Sequence, residues 1–172
     1  MSADGDREVI ETQIGRPLRA PSEVVARCHL GLPVVVRVPP HLEDGTPFPT
    51  RYWLTCPLAM TRIGRLEGAG GVKRMEGKAQ SDPVFAAALE QAHAAYAAER
   101  DDAIEQTGAP APSGGVAGSA RGVKCLHAHY AHRVSGALNP VGELVDGWIG
   151  PLDCVVPCVL DGEMNPAWVN RP

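Results

Sequence analysis

Thr50-Arg51-Tyr52-Trp53-Leu54-Thr55-Cys56-Pro57 is where this chain passes from one kind of secondary structure to another. Thr50 to Thr55 is rich in aromatic and β-branched residues and reads as a strand. Pro57 then opens a helix, because proline is favoured at the first helical position, where its missing N–H costs nothing. Upstream, Pro33-Val34-Val35-Val36-Arg37-Val38 is a second strand, stopped by Pro39-Pro40. The segment between them, His41 to Pro49, is turn-rich, with Asp44-Gly45 as its tight turn. The two strands are therefore expected to pair as a hairpin. Ser22 to Leu30 fits a helical turn or a strand, and Val24 and Val25 favour the strand.

Downstream, Leu58, Met60, Ile63 and Leu66 carry the helix to Glu67, and Gly68 to Gly71 breaks it. A short helix is expected over Gly71 to Gln80. Asp82-Pro83 is the clearest helix start, with Asp as cap and Pro at the first position. Its apolar stripe is Phe85, Leu89, Ala92 and Tyr96, and it should run to about Glu105. Thr107 to Ala120 is rich in Gly, Ala, Pro and Ser and reads as a flexible loop. A helix through Cys125 to about Ala137, a short helix over Val141–Ile149 and a strand over Leu152–Leu160 complete the pattern. The expected fold is α+β: a small antiparallel sheet (33–38 and 50–55) covered by three or four helices. Residues 1–20 form a flexible lead-in with a short helix near Arg7–Ile14, 21–160 the single domain, and 161–172 a C-terminal tail.

With 172 residues, 44% of them apolar, the chain can build one real core. Aromatics are only 5%, so Val, Leu, Ala and Ile must fill it. A net charge of −4 leaves no single-sign basic surface, which argues against general nucleic-acid binding. No apolar run approaches the roughly 18 residues of a membrane span. The polar start Met1-Ser2-Ala3-Asp4-Gly5-Asp6 lacks the pattern of a signal peptide. The expected location is cytoplasmic, where thiols stay reduced. The five cysteines then read as buried residues, ligands or reactive groups rather than a disulfide framework.

Chemistry concentrates in Lys124-Cys125-Leu126-His127-Ala128-His129-Tyr130-Ala131-His132-Arg133. One thiol and three imidazoles at this density suit a zinc-class ion, or a nucleophile with its base. On one straight helix Cys125, His129 and His132 share a face while His127 points away. Cys125 and His132 would then stand about 10 Å apart along the axis, too far for one ion. If Cys125 instead precedes the first turn, Cys125 and His127 can act together. Either way a donor must come from elsewhere. Cys56 leads, because unpaired N–H groups at a helix start stabilise a thiolate. Cys28-His29 comes second, and Cys154 with Cys158 third, the last pair read chiefly as buried structure. His93 reads as a satisfied edge residue and His41 as exposed. Arg51, Lys124 and Arg133 offer charge for an anion or small molecule.

Three blocks of this sequence resemble a bacterial, mainly actinobacterial, family catalogued as domain of unknown function 501. They are Gly31 to Val36, then Pro49 to Pro57 followed by Gly64-Arg65-Leu66-Glu67, and Lys124-Cys125-Leu126-His127 with Asn139-Pro140. The resemblance covers roughly residues 20 to 150. It implies a small cytosolic protein and no activity. It favours Cys125, His127 and His132 over His129, and Cys28 over His29. It also implies genes lying near those for a septum-formation initiator and an exopolyphosphatase-like enzyme.

The leading expectation is a zinc-like site in which Cys28, Cys56, Cys125 and His127 or His132 converge. A thiol-dependent enzyme using Cys56 or Cys125 with a histidine base such as His127 is the first alternative. A non-enzymatic interaction protein, with a partner in cell division or the envelope, is the second.

Overall fold

The computed structural model describes residues 3–105 and 108–170. Three strands form an antiparallel sheet in the order β1 (Glu23–Arg27), β2 (Pro33–Arg37), β3 (Tyr52–Leu54). The expected hairpin is the β2–β3 pair, with Val35 opposite Leu54 and Val36 opposite Trp53. The ambiguous stretch after Ser22 is a strand, as Val24 and Val25 favour, and β1 pairs with β2 across a tight turn. In that turn the Gly31 N–H donates to the Cys28 carbonyl, and Gly31 has a φ of +82°, which suits glycine alone.

β2 is buried on both faces, which its run of valines requires. Val34 and Val35 join the main core with Tyr52, Leu54, Ile63, Leu89, Tyr96, Leu126 and Val145. Val36 and Val38 face the other way and are covered by Ile10 and Ile14 of α1 (Ala3–Ile14). The lead-in is thus largely a helix packed on the sheet.

The helical layer comprises α2 (Pro57–Gly68), α3 (Gly71–Ser81), α4 (Pro83–Asp102), α5 (Leu126–Val134) and α6 (Pro140–Ile149). Asp82 caps α4 as its sequence demands, its carboxylate accepting from the N–H groups of Val84 and Phe85. Tyr96 is fully buried on the expected stripe, and its hydroxyl accepts the Arg51 N–H at 2.5 Å, locking α4 to β3. α5 packs on β3, α2 and α6. Gly142 lets α6 approach closely: a Cβ there would sit 2.3 Å from the His129 carbonyl oxygen.

Thr107 lies outside the described residues. Later in the same Gly-rich segment, Val116 is fully buried in a 3-10 turn, Val116–Gly118, and its N–H donates to His93 Nδ1 at 3.0 Å. His93 is therefore a satisfied core-edge residue. The strand expected over Leu152–Leu160 shrinks to β4 (Val159–Leu160), paired with β5 (Glu163–Met164). Pro151 and Pro157 withhold ladder donors from the rest. Among the described residues no helix is long and apolar enough to cross a membrane.

Candidate metal centre

Cys125 is the N-cap of α5, with extended backbone (φ −155°, ψ 125°), and the helix begins at Leu126. This is the arrangement that frees Cys125 and His127 to act together. The cap side chain makes no capping bond. Instead Glu67, from the last turn of α2, crosses over and accepts the Leu126 N–H at 2.6 Å. It replaces the local cap with a tertiary one.

His127 Nδ1 lies 3.2 Å from Glu67 Oε1 and 3.8 Å from Cys125 Sγ. The three donor atoms all fall within 4.8 Å of one another. A tetrahedral ion with bonds of about 2.3 Å to sulfur and 2.0 to 2.1 Å to nitrogen and oxygen needs separations of about 3.6 Å for S···N and 3.4 Å for N···O. The observed edges match both within about 0.2 Å. The other ring nitrogen, Nε2, donates to the Met60 carbonyl at 3.2 Å, which fixes the ring and presents Nδ1 to the other two donors. Burial disfavours the imidazolium, but Cys125, Glu67 and the Met60 carbonyl outweigh it and push His127 up to about 9. Its surroundings are thus built to attract positive charge at that point.

One face of the centre opens on a cleft of about 480 Å³ lined by Tyr52, Trp53, Met60, Lys124, Cys125 and His127. The lining is mostly apolar and includes Lys124 beside His127.

The other sequence candidates lie elsewhere. His132 and His129 are buried at the centre of α5 and joined through Asn139. The Asn139 carbonyl oxygen accepts from His129 Nδ1 and from the Gly142 N–H, and its amide donates to His132 Nδ1. Burial lowers both imidazoles to about 4. They are neutral scaffold groups. Cys56 does sit at a helix start, but burial wins over the helix terminus there and pushes its thiol up to about 11. Cys56 packs in the core and Cys28 against it, and no set of three clustered donors among the described residues includes either. Arg51 is engaged internally, donating to the Val38 carbonyl at 2.8 Å.

Glu67 escaped the sequence reading. A signal was present: a carboxylate in the last turn of a helix opposes the macrodipole and implies an outside partner.

A family model described as a protein of unknown function, DUF501, matches residues 24–147. The chain belongs to the DUF501 family. The matched span holds all three donors of the centre, and it ends before β4 and β5. No curated protein and no solved structure matches the chain.

Proposed function

We propose that this DUF501 protein binds one zinc-class divalent ion through Glu67, Cys125 and His127. The observation that carries the reading is how the His127 ring is used. Cys125 and Glu67 both face Nδ1, while Nε2 is tied to a backbone carbonyl. A thiol–imidazole–carboxylate triad needs nucleophile and orienting acid on opposite ring nitrogens. An ion needs all its donors around one point, which is the arrangement here. A group pushed up to about 9 is also a poor acceptor for a thiol proton near neutrality.

Three protein ligands and an open cleft leave a fourth position for water or a small molecule, the layout of exchangeable or catalytic rather than closed structural sites. Lys124 beside that position would favour an anionic ligand. Five thiols with no disulfide suit a reducing compartment, the cytoplasm. The decisive measurement is the metal content of protein purified without an affinity tag, wild type against His127→Ala. About one equivalent lost in the variant supports the proposal. Equal metal content in the two proteins overturns it.

A further inference from the structure

Four of the five cysteines are not at this centre, and they fall on two hydrophobic clusters that share Cys28. Cys28 sits in the β1–β2 turn and Cys56 at the β3–α2 junction, and both pack with the main core. Cys154 and Cys158 come from the irregular C-terminal segment, Cys154 packing on the same core and Cys158 on Leu32 and Val9. Cys28 touches both clusters and joins them. Beyond the dominant effect of burial, Cys154 and Cys158 each disfavour charge on Cys56, and Cys154 and Cys28 each disfavour it on Cys158, so the four thiols are electrostatic neighbours.

We propose that Cys28, Cys56, Cys154 and Cys158 form a second, closed metal site, a tetrathiolate for a zinc-class ion that staples the C-terminal segment to the sheet.

Two features support a thiolate site over four chance core residues. Side-chain N–H groups are already aimed at two of the sulfurs: half-buried Trp168 donates through Nε1–H to Cys154 Sγ at 3.4 Å, and buried Gln13 through Nε2–H to Cys158 Sγ at 3.5 Å. Such donors favour the anionic sulfur that metal binding creates. Gln13 is 6% exposed and bridges Cys158 to the Pro33 carbonyl, while its own Oε1 has no partner, a placement that core packing alone does not explain. His29 Nε2 meets the Cys154 carbonyl at 2.9 Å, holding the two cysteine-bearing loops together from outside.

The second feature is the segment itself. Residues 150–170 carry only two strands of two residues each, and side-chain bonds such as Arg62 to Asp153 at 2.8 Å and Thr12 to the Gly162 carbonyl at 2.6 Å tie them to the rest of the chain. A closed tetrathiolate would add to these ties. Tetrahedral zinc sets its sulfurs about 3.8 Å apart. Among the described residues no three of the four lie within 4.8 Å of one another, so the site as proposed requires the sulfurs to draw together when an ion binds. The step balances simply: one divalent ion replaces four thiol protons, which leave to solvent, with no change of oxidation state.

The test uses the full chain carrying Cys125→Ser, which removes a ligand of the first centre and leaves this one. Titration with cobalt(II) should give one equivalent bound, with an intense sulfur-to-cobalt charge-transfer band. Adding Cys154→Ser should lower that band by a quarter or more. A band that Cys154→Ser leaves unchanged, or that is absent with Cys125→Ser alone, overturns the site. Should the double variant fail to fold, wild-type protein answers the question. Chelator should expose Cys28, Cys56, Cys154 and Cys158 together to alkylation, mapped by mass spectrometry, and open residues 150–170 to protease. An alkylation map unmoved by chelator overturns the proposal.

Discussion

Two stretches of α5, one turn apart, hold the same side chain in opposite states. In the first turn His127 is pushed up to about 9 by Cys125 and Glu67 despite its burial. At the centre His129 and His132 are pulled down to about 4, because burial there meets no opposing carboxylate at hydrogen-bond distance and an asparagine instead of an acid. The helix supplies the same backbone to all three. The neighbours decide which imidazole holds a proton near neutrality and which stays neutral in the core.

The sharpest way to break this contrast is acid. An unfolded histidine takes up a proton near pH 6.5, whereas folded His129 and His132 refuse it until about pH 4. The unfolded chain therefore binds more protons between those values, and stability falls as pH drops through that window. The expected loss is on the order of 5 kcal/mol from pH 7 to 4, read by denaturant unfolding. A flat profile would mean these histidines are not the neutral scaffold pair described.

Asn139→Leu attacks the same centre by another route. It removes the α6 cap and strands two buried ring nitrogens, so about 3 kcal/mol should be lost while metal content stays unchanged. Coupled loss of metal would erase the division between the two stretches. Gly142→Ala, which forces α6 away from the His129 carbonyl, should cost about 1–3 kcal/mol in the same assay, again with the metal retained. Glu67→Gln sits at the far end of the scale. Its amide oxygen still accepts the Leu126 N–H, so stability should change by less than about 1 kcal/mol. Metal affinity should nevertheless fall about 10- to 100-fold or more, measured by competition with a chromophoric chelator. An unchanged affinity would remove Glu67 from the centre.

Much of the fold was legible because its signals are local. Asp82-Pro83, the valine run of β2 and the Cys56-Pro57 junction each announce their element within a few residues. The first misreading, a strand over Leu152–Leu160, weighed β-branched content above Pro151 and Pro157 and had no partner strand to check against. At the site, spacing revealed the cluster and the consequence of Cys125 preceding the helix. It could not reveal that His132 turns inward to Asn139, since a helical wheel ranks faces but does not say which one meets the core. Nor could it bring Glu67 across from another helix, 59 positions from Leu126, to which it is bonded.

Glu67 closes the opening turn of α5 whether or not an ion is present, because its bond to Leu126 needs only a carboxylate oxygen. Its partner atoms are therefore held in place before any cation arrives. An ion bound as proposed would load and unload without melting the helix end, by exchange at an assembled socket rather than by refolding.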